Sequence, residues 1–382
     1  MNDFHIKTAA PELQEYFDAI EPLDGKAMDD AKLRQDYRVK VPGSLGRLED
    51  ISIRLAGITG KVYGNEVGKQ AVILMCADNG VVEEGVASAP QTVTLMQTIN
   101  FTKRITGVGA QAKYFGIDIL DIDVGVRLPI PQEILTEDML ENGRITNNVV
   151  NRRIADGTKN FVKEPAMTRA EAIRAVEIGI ESVKAAKDAG IEVIGIGEMG
   201  IGNTTTASAI ICRMTGTPCD IVVGRGGGLN DEGLAKKSAV VKKALELYGH
   251  LDVFEFARCA GGFDILAMAG AYIGAAVYRI PVVIDGVISI AAALLAYELE
   301  PRVKDFMFTS HRSLEVGYSS AAEKLGIEPM FDLAMRLGEG SGCPIAFKIM
   351  EAACAAMNGM LSLEEGKIEG SYLDELREKN LF

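Results

Sequence analysis

The chain has 382 residues, 48% hydrophobic and 24% charged, with a formal net charge of −13. This composition fits two or three compact globular units and excludes a disordered or collagen-like chain. The acidic balance excludes broad contact with a nucleic-acid backbone, which needs a basic surface.

Residues 1–65 carry helical rather than strand patterning, as do 312–382, so a small helical domain built from both termini is expected beside a large domain over 66–311. The mixed, acidic opening residues give no export signal, and a cytoplasmic location is expected. A first strand is expected at Ala71–Cys76, ending in Ala77-Asp78-Asn79-Gly80, and a second at Ile117–Val124. Residues 137–165 are polar without a clear period and read as a long surface excursion. Thr168 and Glu171 have capping-box spacing ahead of a helix over Ala170–Ala189 that stops at Gly190. A third strand, Glu192–Ile196, runs into Gly197-Glu198-Met199-Gly200-Ile201-Gly202-Asn203-Thr204-Thr205-Thr206. A fourth, Ile221–Val223, runs into Gly224-Arg225-Gly226-Gly227-Gly228 and a helix over Glu232–Tyr248 capped by Asn230 or Asp231.

The most apolar stretch, Arg258–Glu298, is broken by Asp264, Arg279 and Asp285, and no uncharged run within it reaches the ~20 residues of a bilayer helix. No membrane partner is therefore expected. Strands at Pro281–Ile284 and Phe306–Thr309 end in Asp285-Gly286 and Ser310-His311-Arg312-Ser313. Apolar strands alternating with helices predict an α/β fold: a Rossmann-like parallel sheet with helices on both faces. Six cysteines in apolar contexts, with no C-x-x-C spacing, read as buried thiols of a reducing compartment.

In such a sheet, ligands sit beyond the carboxyl ends of the strands, where the unusual residues gather. The turns around Gly200–Thr204 and Gly226–Gly228 can cradle a phosphate, because glycines let N–H groups converge and a helix N-terminus adds partial positive charge. The second turn feeds a helix with Lys236 and Lys237. No Walker A is present. Gly195-Ile196-Gly197-Glu198-Met199-Gly200 has the letters of a dinucleotide fingerprint, which leaves a nicotinamide-dependent dehydrogenase as one alternative, although Glu198 would then face a pyrophosphate. In Gly338-Glu339-Gly340-Ser341-Gly342, Glu339 lies near Met335, Leu337, Pro344 and Ile345. It reads either as a solvated turn residue or as a carboxylate whose pKa apolar surroundings raise into the range of a base. Glu198 invites the same argument. Met96 and Met199 read as core filler or as the wall of a pocket for a flat ring. His5, His250 and His311 have no ligand neighbours at metal spacing, so no metal is expected. The absence of a G-x-S-x-G elbow disfavours a serine hydrolase.

Several motifs then occur in order. They are Pro42-Gly43-Ser44-Leu45-Gly46-Arg47-Leu48-Glu49, Ala77-Asp78-Asn79-Gly80 with Pro90-Gln91-Thr92-Val93-Thr94, the two glycine turns, Asp231-Glu232-Gly233-Leu234-Ala235, Gly261-Gly262-Phe263-Asp264, Ser310-His311-Arg312-Ser313 and Leu337-Gly338-Glu339-Gly340-Ser341-Gly342. Over nearly its whole length the chain resembles the nicotinate-nucleotide:dimethylbenzimidazole phosphoribosyltransferase family. The resemblance implies that an aromatic base displaces nicotinate from C1′ of nicotinate mononucleotide with inversion, giving α-ribazole 5′-phosphate for cobalamin assembly without a cofactor. It assigns the general base to Glu339 and sets Glu198 near the reacting centre. It gives Gly200, Gly202, Asn203, Thr204, Gly226, Gly228, Lys237 and Ser313 to the ribose phosphate, and Ser88, Met96, Met199 and Leu337 to the acceptor. It also implies a homodimer, with a heterodimer of related subunits as the alternative. Asn79, Tyr318, Gly227 and Asp264 depart from the family's usual His, His, Thr and Glu. These departures keep two other readings open: transfer to phenol or p-cresol, and a non-catalytic nucleotide-binding paralogue.

Overall fold

Strands with no polar face are stable only where both sides of the sheet are covered. The computed structural model, which describes residues 10–373 and 378–379, meets that condition. Its strands are β1 (Gln70–Ala77), β2 (Asp118–Gly125), β3 (Leu135–Thr136), β4 (Leu140–Glu141), β5 (Arg144–Ile145), β6 (Val149–Asn151), β7 (Val193–Met199), β8 (Val282–Ile284) and β9 (Met307–Thr309). Seven of them form one sheet in the order β3-β6-β2-β1-β7-β8-β9, and every pair in it is parallel. β4 and β5 make a small antiparallel hairpin. All eight residues of β1, the central strand, are buried. The chain leaves β1 toward β2 on one side and later returns as β7 on the other. A crevice therefore opens between the carboxyl ends of β1 and β7, the topological switch point of such a sheet.

Local signals account for the helices. Thr168 and Glu171 close the capping box of helix Arg169–Asp188. Asn230, rather than Asp231, caps Asp231–Tyr248 through Gly233 N–H. The apolar helices Phe263–Val277 and Val287–Leu299 are almost wholly buried. Helix Cys343–Gly359 packs on β1, β7 and β8. Its Met357 also joins Ala27, Ala31 and Ala56 in a small separate cluster with helices Gly25–Asp36 and Arg47–Thr59.

Two expectations are corrected. Ile221–Val223 is no strand: Pro218 opens a short helix, Cys219–Val222, and a three-residue apolar run is too short to tell strand from helix. Residues 137–165 are not wholly a surface excursion. β6 pairs with β2 and β3 inside the sheet, and Val149, Val150 and Phe161 are buried. A strand of three residues is shorter than any window in which alternation can be read. All six cysteines are free and buried. His5 lies outside the described residues, and among those described no helix is long and apolar enough to cross a membrane.

Candidate active site

Glu339 follows Gly338 on a turn that lies over β7. Its backbone is left-handed, with φ of 62°. The turn can lie there because β7 carries glycines: a Cβ on Gly197 would meet Gly340 N at 2.5 Å, and one on Gly195 would collide with Cys343 Cβ. The apparent dinucleotide fingerprint is corrected by the same contacts. Gly195 and Gly197 sit within β7 and make room for chain, not for a pyrophosphate.

Asp285, at the end of β8, fixes the turn by accepting Gly342 N–H at 2.7 Å and Gly340 N–H at 3.1 Å. The Glu339 side chain is buried. Its Oε1 accepts from Gln97 Nε2 at 3.0 Å and its Oε2 from Val108 N–H at 3.3 Å. Burial raises its pKa, opposed by the Val108 and Gly107 amides and by Gln97. Glu339 is thus a sheltered carboxylate held in one orientation, and the solvated-turn reading is excluded.

Beneath it lies a group of carboxyls whose pKa values burial raises. Glu198 accepts from Asn203 Nδ2, and its Oε1 accepts Glu339 N–H at 3.4 Å. Burial and then Asp264 push Glu198 up to about 8. Asp264 accepts from Asn203 Nδ2 at 3.1 Å and from Asn79 Nδ2 at 3.4 Å, and burial raises it to about 7. Burial raises Asp285 to about 7 as well. Near neutral pH Glu198 is therefore mostly protonated, which limits the negative charge close to Glu339. His311 is buried and pushed down to about 4 by burial, so it stays neutral.

The glycine turn after Val223 is built around a buried ammonium. Lys237 has no exposed surface, donates to Thr204 Oγ1 at 2.9 Å and Gly224 O at 3.1 Å, and is lowered to about 8 by burial. Gly226 turns over it with φ of 52°, and a Cβ there would lie 2.8 Å from Thr204 Oγ1 and 3.3 Å from Lys237 Nζ. Gly202 caps helix Asn203–Thr215, whose first turn includes Thr204. A cleft of about 100 Å³ is lined by Glu198, Thr204, Gly226, Asp285, Ser313, Arg336 and Leu337, among others.

The expected site residues are thus largely gathered, with qualifications. Asn203 is corrected: its side-chain amide is committed to Glu198 and Asp264, which leaves it no donor for a phosphate. Gly200 lies against Ala77 O and Asp264 rather than in the cleft lining. Gly228 has open space around it. Ser88 Oγ is 2.9 Å from where a Gly227 Cβ would sit, so it stands at the triple-glycine turn. Met96 and Leu337 are 54% and 59% exposed, and Met199 is half-buried. Sequence reasoning does not single out Gln97 or Asp285 as site residues. Gln97 is a polar residue one helical turn from buried Thr94 and Phe101, and Asp285 is a charge closing an apolar strand; each had a readable signal. Among the described residues, no cluster of three or more His, Cys, Asp and Glu could hold a metal ion.

These carboxyls predict the pH dependence of stability. Asp121, raised by burial to about 8, adds to Glu198, Asp264 and Asp285. Each keeps its proton in the folded chain and loses it in the unfolded chain between about pH 4 and its folded value, so the unfolded state binds fewer protons and stability falls as pH rises. The melting temperature is expected to be several degrees lower at about pH 8.5 than at about pH 5.5, with Asp121→Asn narrowing the gap. A melting temperature that rises over this interval contradicts the assignment.

The Phosphoribosyltransferase family model matches residues 20–368. The nicotinate-nucleotide–dimethylbenzimidazole phosphoribosyltransferase of Clostridium perfringens is 49% identical over 97% of this chain and 99% of that protein. The Acetivibrio thermocellus protein of the same name is 47% identical over 92% of this chain and 96% of its own length. The crystal structure of the Thermus thermophilus protein of that name superposes with a TM-score of 0.83 at 34% identity, covering 91% of this chain and 99% of that one. With end-to-end relatives at nearly half identity and a matching family model, the chain belongs to the nicotinate-nucleotide–dimethylbenzimidazole phosphoribosyltransferase family.

Proposed function

We propose that the chain transfers the phosphoribosyl group of nicotinate mononucleotide to 5,6-dimethylbenzimidazole, with inversion at C1′, giving α-ribazole 5′-phosphate and nicotinate. The observation that carries this reading is the sheltered Glu339 carboxylate, oriented by Gln97 and Val108 N–H. Glu339 takes the proton from one benzimidazole nitrogen while the other attacks C1′; such base assistance is typically worth about 10²- to 10⁴-fold. The ribose phosphate rests on Thr204, Gly226 and Ser313, with the Lys237 ammonium behind them. Met96, Met199 and Leu337 offer the acceptor an apolar wall with Ser88 nearby. Holding both reactants at attack distance supplies several kcal/mol more.

The N- and C-terminal segments are assigned to a small helical domain, and two copies of the chain to a homodimer in the cytoplasm. Purified protein supplied with nicotinate mononucleotide and dimethylbenzimidazole is expected to release nicotinate and form an α-ribotide identifiable by mass. Nucleotide binding without nicotinate release, across benzimidazoles, purines and phenols, would sink the proposal.

A further inference from the structure

Nicotinate mononucleotide brings two anionic groups, a phosphate and a pyridine carboxylate, and the cleft already contains Glu198, Asp285 and Glu315. An anion entering this cleft needs a cation beside it, because it gives up hydration where water is scarce. Lys237 is committed to the phosphate turn through Thr204 and Gly224. The cation left in the cleft lining is Arg336. It stands next to Leu337 and Gly338 on the segment that ends in Glu339.

Arg336 differs from nearby arginines in having no partner of its own among the described residues. Arg312 faces Asp332 at 3.7 Å, Arg47 donates to Glu328 and Pro329 carbonyls, and Arg54 donates to Met307 O. Arg336 is exposed and makes no hydrogen bond, ion pair or ring contact with the described residues. It is a fork of donors at the mouth of the cleft.

We propose that Arg336 is the carboxylate subsite of the donor: its guanidinium pairs with the pyridine carboxylate and selects the acid over the corresponding amide. This rests on the proposed transfer reaction. A planar guanidinium matches a carboxylate with two parallel hydrogen bonds and has no comparable match in a carboxamide. The pairing also strengthens during reaction. When the bond from C1′ to the pyridinium nitrogen breaks, its electron pair stays with the ring; the new C1′–N bond forms to the acceptor, whose proton goes to Glu339. The leaving portion passes from a neutral zwitterion to an anion, so a cation at its carboxylate stabilises the transition state more than the bound donor.

The test is steady-state transfer to dimethylbenzimidazole from nicotinate mononucleotide and, separately, from nicotinamide mononucleotide, using the full chain with Arg336→Met and Arg336→Lys. The native protein is expected to favour the acid. Arg336→Met should lower kcat/KM for the acid roughly 10- to 100-fold and change the amide less than about threefold, with Arg336→Lys recovering part of the loss. An equal fall for both donors, no fall for the acid, or a native protein indifferent to acid and amide each overturns the subsite. A native protein that transfers from neither donor overturns the proposed reaction instead.

Discussion

Glu339→Gln is expected to lower kcat by about 10²- to 10⁴-fold while KM for nicotinate mononucleotide moves by no more than about a factor of two. Glutamine keeps the side-chain volume and one acceptor oxygen for Val108 N–H, giving up the hydrogen bond from Gln97, while the turn stays clamped by Asp285. What it loses is the proton-accepting site. Because burial raises the Glu339 pKa, kcat/KM of the native protein should climb with pH until that carboxyl is ionised, and the variant should lack this limb. The melting temperature should change little, since removing a charge that burial disfavours offsets the lost hydrogen bond from Gln97. Steady-state kinetics over pH, with thermal melts of both proteins, check all three points. Undiminished turnover would remove Glu339 from the chemistry.

Lys237→Met should separate binding from stability in the opposite sense. The native chain buries an ammonium completely, with two neutral oxygens as hydrogen-bond partners and no carboxylate among them. That arrangement costs stability, as the lowering of its pKa to about 8 indicates. A phosphate over Gly226 and Thr204 would supply the missing counter-charge. Methionine has nearly the same length and no charge, so the variant should melt no lower than the native chain while KM for nicotinate mononucleotide rises by about 10²-fold or more. Added inorganic phosphate should raise the melting temperature of the native protein and leave that of the variant nearly unchanged. If the variant keeps native KM, the ammonium has no part in holding phosphate.

The long strands β1, β2 and β7 are legible in the sequence because runs rich in aliphatic residues, closed by Gly or small polar residues, leave few alternatives even with Asp121 and Asp123 inside β2. The helices Arg169–Asp188 and Asp231–Tyr248 are legible because their caps are local. The strand ends carry the site motifs, as the geometry of parallel sheets requires. Three failures share a different cause. β6 is a strand through its pairing with β2 and β3, and its own three residues do not encode that partnership. Asn203 is expected to face a phosphate from its place at a helix N-terminus, yet Asp264, 61 positions away in sequence, claims its amide. Gly195 and Gly197 spell a nucleotide motif while serving the approach of Gly340 and Cys343. Each of these three errors concerns a long-range contact, and spacing along the chain cannot report which distant segment arrives; the strand expected at Ile221–Val223 fails locally, on a run too short to tell strand from helix.

The glycine track on β7 also sets an order of events during synthesis. The sheet's strands are complete by Thr309, but the segment that covers Gly195 and Gly197, carries Glu339 and continues as helix Cys343–Gly359 is made afterwards. A nascent chain still short of these residues presents a bare strip of sheet to the ribosome surface and to any chaperone. The Glu339 carboxylate and closure of that uncovered strip arrive together, after every strand of the sheet.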